Sequence, residues 1–175
     1  MSYIPRRFLG VDGLVTTDET LTEIISNATL LASGVGKIVT ASLVATGGPL
    51  WIIPNVSADD PLNANADAAQ ANVTVTDGTK FTANDIVLLY NNDNTSYEWA
   101  EILSIATHVL TMKAVLVKAY TTAKVSMCAK VRNRNEFFKV GTGETFNEED
   151  LDFTSLWYRN TSGVNVTLNG YVGAN

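Results

Sequence analysis

The chain has 175 residues, 46% hydrophobic and 17% charged, with a formal net charge of −6 and a pI near 4.7. That much apolar material supplies one large core or two small ones, so disorder is excluded as a description of the whole. The acidic balance argues against wrapping nucleic acid, and no apolar run approaches the roughly 18 residues needed to span a bilayer.

Residues 1–12 read as an extended arm. Pro5 breaks regular structure, and Ile4, Phe8 and Leu9 have no evident periodic partner. Arg6 and Arg7 have no apolar stretch behind them, so a secretory signal is not expected. Apolar side chains beside two arginines make Ile4, Arg6, Arg7, Phe8 and Leu9 a candidate interface, which either frays or docks on a neighbour. Residues 13–175 then form the β-rich domain, with possible sub-modules 13–72 and 73–175.

In "TLTEIISNA", Leu21, Ile24, Ile25 and Ala28 fall at helical spacing, and Thr20 with Glu23 fits a capping box. The β-branched residues there suit a strand equally well. Strands are predicted at Lys37 to Ala45 and Leu50 to Ile53, separated by Gly47, Gly48 and Pro49. Asn55 to Asn72 is small, polar and Pro-containing, and reads as a surface loop with one helical turn in "ADAAQA". Short segments rich in Val, Ile, Leu, Tyr and Thr follow in close succession, and Val125, Met127, Ala129 and Val131 alternate with polar or small residues. Near the end, a strand through Trp157 and Tyr158, the turn "NTSG" and the alternating Val164, Val166 and Leu168 predict a hairpin. The expected class is mainly β: an antiparallel sandwich or small barrel with hairpins and at most one or two short helices.

The candidates for chemistry are few. "NNDNTS", Asn91 to Ser96, offers oxygen ligands, but Asp93 is its one carboxylate, and Asn and Asp also favour tight turns. It is expected to be a turn, and no metal or cofactor is expected. Glu98 and Glu101 flank Trp99, yet three residues apart on a strand they point to opposite faces and do not converge as an acid/base pair. His108, the one histidine, falls where a tight turn is expected, with no local nucleophile motif. Cys128, the one cysteine, has no disulfide partner within the chain and sits in an alternating strand as inert packing. "GVGK", Gly34 to Lys37, lacks the spacing of a phosphate loop. Six glycosylation tripeptides follow from an abundance of Asn, Ser and Thr. Trp99, Trp157 and Tyr158 are the candidate aromatic face for a glycan, or else fill a core or a subunit interface. No enzyme activity is expected.

The span from Val73 to Ser126 resembles a module of tailed-bacteriophage virion proteins. In that pattern a strand leads to an aromatic, then to a "GD.V.I" strand. An acidic residue follows, before a tail of spaced leucines, a tyrosine and a valine. Phe81, Asp85, Val87, Glu101, Leu110, Leu116, Tyr120 and Val125 occupy those places, with Asn84 where Gly is usual and Ala123 where Gly is common. Leu156 to Asn175 is similar to the closing hairpin of small phage capsid or tail accessory proteins. The resemblance implies a structural role in the virion, assembled in the host cytoplasm, as a capsid decoration (cement) protein or a head or tail accessory. It implies the major capsid protein or other virion subunits as partners, and a homo-oligomer with a trimer favoured.

Overall fold

The computed structural model describes residues 7–16, 21–25, 29, 32, 34–91, 96–124, 126–134, 137–160 and 162–175. In chain order the strands are β1 (Arg7–Thr16), β2 (Leu21–Ile25), β3 (Ile38–Thr46), β4 (Leu50–Pro54), β5 (Ala58–Pro61), β6 (Asn72–Thr74) and β7 (Ile86–Tyr90). They continue as β8 (Tyr97–Ala106), β9 (Val109–Met112), β10 (Met127–Val131), β11 (Phe138–Val140), β12 (Thr145–Phe153), β13 (Leu156–Asn160) and β14 (Val166–Ala174). All ladders between these strands are antiparallel, and the helical pieces among the described residues are short, such as the single turns at Gly78–Lys80 and Thr122–Lys124. The chain is mainly β.

It divides into two compact units, Met1–Asn55 with Phe137–Asn175, and Val56–Glu136. The first is a sandwich of two four-stranded sheets, ordered β1-β14-β3-β12 and β11-β4-β13-β2. Period-two alternation builds its core: Ala41, Leu43 and Ala45 of β3 and Val166, Leu168 and Val172 of β14 turn inward. They meet Leu50, Ile52, Leu156 and Tyr158 from the second sheet, an arrangement of two inner faces around one apolar layer.

The second unit is a six-stranded sheet ordered β5-β10-β7-β8-β9-β6. Its edges come together just past the ends of β5 and β6, where Leu62 bridges Val75, Asn63 N donates to Thr74 O (2.8 Å) and Thr76 N donates to Pro61 O (3.1 Å). The sheet therefore curls toward closure as a small barrel, which removes exposed edges. Phe81, Val87, Leu89, Ile102, Leu110, Leu116, Tyr120 and Cys128 share its core. The apolar members of the phage-like pattern that lie in this core are thus packing positions. Asn84 adopts φ +71°, a left-handed conformation that explains why glycine is usual there and why Asn, among the other residues, is tolerated.

Several local expectations change. Arg7–Thr16 is a strand paired with β14, and the segment read as an arm is strand from Arg7 onward. Its two-residue alternation is short and broken at Gly10 and Gly13, and its partner lies at the far end of the sequence. The expected surface loop contains β5, which pairs with β10 and buries Asp60. The residues of the expected C-terminal hairpin are strands of different sheets: β13 pairs with β2 and β4, whereas β14 pairs with β1 and β3. The intervening turn carries the chain across the sandwich. The unit boundaries fall at 55/56 and 136/137. A change in composition marks loops, but an inserted unit is bounded by which strands pair.

Gly170 has φ +146°, and a Cβ there would overlap the Ser42 carbonyl oxygen. Gly170→Ala is expected to cost about 2 kcal/mol or more, because both the backbone conformation and the β14–β3 approach oppose a side chain. The check is chemical denaturation, with Gly10→Ala, which has open space around its Cβ position, as the mild control.

Candidate functional site

Most of the polar groups singled out in the sequence are consumed within the fold. Asn91 and Ser96 close the turn between the paired strands β7 and β8, with Asn91 N donating to Ser96 O (3.0 Å). Asn91 is buried and its Oδ1 accepts from Ser126 Oγ. The tip of this loop lies outside the described residues. Glu98 accepts from the backbone N–H of Val117 (2.9 Å) and Lys118 (3.2 Å), pinning the segment after β9. Glu101 instead pairs with Lys113 (2.5 Å) and Arg134 (3.6 Å). The Lys113 hydrogen bond holds its carboxyl below the usual range. Each glutamate has separate partners, and the concavity beside them measures about 50 Å³, room for little more than water.

His108 sits in the turn between β8 and β9, and its Nδ1 lies 3.5 Å from Gly78 N as acceptor. Cys128 is wholly buried, and burial pushes its thiol pKa well up, away from thiolate chemistry. Asn55 and Asn160, two of the glycosylation positions, are buried in the fold.

The most developed charged cluster lies in the second unit. Asp60, almost fully buried, accepts from Asp77 N (2.7 Å) and from Lys80 Nζ (2.6 Å), and Lys80 also donates to Asp59 O (2.9 Å). Asp77 accepts from both the backbone N–H and the hydroxyl of Thr79, which lowers its pKa. Burial raises the pKa of Asp59, and the hydrogen bond to Asp60 raises that of Lys80. The lysine ammonium bridges the Asp60 carboxylate and the Asp59 backbone carbonyl, so the cluster is a structural clip between β5 and the turn at Gly78–Lys80. No group of three potential metal ligands is gathered among the described residues.

Trp99, Trp157 and Tyr158, expected as an aromatic face, are divided between the two units. Trp157 and Tyr158 are adjacent on β13 and so point to opposite sides of their sheet. Tyr158 is a core residue, and Trp157 is half-buried. Trp99 is half-buried on β8 of the other unit. Of the candidate interface, Ile4 and Arg6 lie outside the described residues, Arg7 opens β1, and Leu9 packs against the core. Phe8 is displayed, 61% exposed.

Phe8 leads to the surface that sequence reasoning missed. It pairs across the ladder with Gly173, where a Cβ would overlap the Thr40 methyl and crowd the Phe8 ring, and it meets Tyr171 edge-to-face at 5.4 Å and 78°. Tyr171 is 43% exposed and sits between Ser42 and Gly10 on the neighbouring strands, with no side chain on the Gly10 side. Beside it lies a shallow depression of about 300 Å³ lined by Ser42, Val44, Thr145, Asn169, Gly170 and Tyr171. None of these residues is charged. Asn169 Oδ1 accepts from Gly13 N (2.8 Å), which leaves its amide NH₂ uncommitted. The hydroxyls of Ser42, Thr145 and Tyr171 make no intramolecular hydrogen bond among the described residues. A larger open groove of about 390 Å³, lined by Phe137–Val140 and Glu144–Glu148, separates β11 from β12, but its glutamates and backbone form no convergent set.

No family model and no curated protein matches the chain. Two partial structural likenesses are to phage tailspikes. One is the Gp54 tailspike of Acinetobacter baumannii bacteriophage AP22, solved in complex with A. baumannii capsular saccharide. It is 15% identical, with a TM-score of 0.39, and the match covers 46% of this chain and 15% of that one. The other is the tailspike protein gp49 from Pseudomonas phage LKA1, 19% identical, with a TM-score of 0.36, covering 53% of this chain and 15% of that one. The present chain thus matches a small part of either protein's length.

The charged clip predicts a pH response. Lys80 has a folded pKa above its ordinary 10.5, so its stabilising contribution is complete below that value and lost as pH rises through the higher folded value. Lys80→Met should flatten the alkaline limb of stability against pH. Asp60→Ala should cost about 2 kcal/mol at pH 7, since it strands the Asp77 N–H and the lysine together. Urea unfolding across pH 6 to 11, as an approximate window around the lysine pKa, reads both.

Proposed function

We propose that the protein is a non-enzymatic, surface-binding component of a bacteriophage particle, acting as an attachment module that holds a saccharide without cleaving it. The observation that carries this reading is the open outer face of the β1-β14-β3-β12 sheet. There an exposed aromatic pair adjoins three hydroxyls with no hydrogen-bond partner among the described residues and the Asn169 amide, whose oxygen alone is engaged, by Gly13 N. Such a combination of flat apolar area and directional polar groups suits polyhydroxylated ligands. The placement in a phage particle is supported by the resemblance of residues 73–126 to virion modules. The absence of catalysis is supported by the pairing of Glu98, Glu101, Asp60 and Asp77 with structural partners.

A second reading is capsid decoration, with the major capsid protein as partner and a trimeric assembly. It is favoured by three exposed apolar side chains of the second unit, Leu103, Val115 and Val117, which suit a protein partner.

Incubating the full chain with immobilised bacterial surface polysaccharides, and in parallel with undecorated phage capsids, separates the readings. The attachment reading expects retention on polysaccharide with no release of reducing ends over time. Steady release would show an enzyme, and retention on capsids alone would establish decoration.

A further inference from the structure

We infer that the depression beside Tyr171 is a subsite for one neutral pyranose unit, bound by stacking on the Tyr171 ring and by hydrogen bonds from Ser42, Thr145 and Asn169. This rests on the attachment reading and gives that reading its ligand class and its residues.

A pyranose has one comparatively apolar face of C–H groups and a rim of hydroxyls. The apolar face requires an exposed ring that does not turn away. Tyr171 is held by its strand position and by its near-perpendicular contact with Phe8, whose own ring lies near Gly173. The ring is therefore set before the ligand arrives, which lowers the ordering cost of binding. Gly10 opposite Tyr171 leaves the approach on that side open.

The rim requires donors and acceptors spaced around the ring. Ser42 and Thr145 lie on β3 and β12, and Asn169 lies two residues from Tyr171 on the same face of β14. The Gly13 N–H fixes the Asn169 amide by engaging its oxygen, so the NH₂ is the end available to a ligand oxygen. The two hydroxyls serve as donor or acceptor as needed. A volume near 300 Å³ stands at the lower end of small-ligand sites, in keeping with a single ring and not a long chain segment.

Charge decides between classes of sugar. The lining offers no lysine or arginine to neutralise a uronate or a sialate, and the molecule as a whole carries −6. Desolvating a carboxylate there would go uncompensated. The subsite accordingly selects neutral hexopyranosides and N-acetylhexosaminides.

The test is NMR titration of the full chain with methyl hexosides, methyl N-acetylhexosaminides and methyl glucuronides, repeated for Tyr171→Ala, Asn169→Ala and the remote control Val117→Ser. The expected result is amide shifts centred on residues 42, 145, 169 and 171 with at least one neutral glycoside. Affinity should fall at least tenfold in Tyr171→Ala, fall less in Asn169→Ala, and stay unchanged in the control. Amide spectra of the variants show whether each remains folded. Binding of glucuronides in preference to neutral sugars would overturn the inference. So would saccharide shifts mapping elsewhere and surviving Tyr171→Ala, an outcome that leaves the attachment reading standing. If no glycoside binds and Tyr171→Ala instead abolishes self-association, the face is a contact between copies, and the inference falls. Retention on whole polysaccharides, measured separately, then decides whether the attachment reading falls with it.

Discussion

The hydrogen-bonded seating of β14 between β1 and β3 is the constraint on which the rest depends. It joins the beginning of the described chain to its end, with Arg7 opposite Ala174 and Thr16 opposite Val166. On its other side the same strand runs from Thr167 opposite Thr46 to Ala174 opposite Ile38. Such pairing carries a high loop-closure cost, which the apolar layer beneath it must offset. Gly170 is where the geometry is tightest, because the β3 backbone approaches too closely for any side chain.

The inner residues of these strands make the core, and the outer residues make the surface on which function is proposed. Their alternation means that one register sets both. Slipping β14 by a single residue would carry Tyr171 and Asn169 inward and expose Val172 and Leu168. Stability and recognition are therefore coupled through the same ladder. By contrast, the charged groups elsewhere are occupied with holding turns: Asp85 with Thr82 and Lys130, Glu98 with the Val117 amide, Asp60 with Lys80.

The class of fold was legible because alternation and turn residues are local signals. β3, β4 and the β7–β8 hairpin stand close to where the sequence places them. Pairing was not legible. Nothing near Phe8 indicates that residue 173 will be a glycine beneath its ring, and nothing near Trp157 indicates that the following turn crosses between sheets. Aromatic content pointed to Trp99, Trp157 and Tyr158, but one strand position decides between core and surface, and Tyr158 falls on the core side. Tyr171 carried a usable signal. It lies two residues from Asn169, with Gly170 before it and Gly173 two residues after, so it shares a face with an amide in a stretch low in bulk.

The central claim is that this outer face holds a neutral sugar ring against Tyr171. A crystal structure of the full chain with a neutral oligosaccharide at high concentration tests it most directly. The expected result is a pyranose stacked on the Tyr171 ring, within hydrogen-bond distance of Ser42, Thr145 and Asn169, with the β14 backbone unmoved. A sugar ordered on any other surface, with the Tyr171 face left bare, would contradict it.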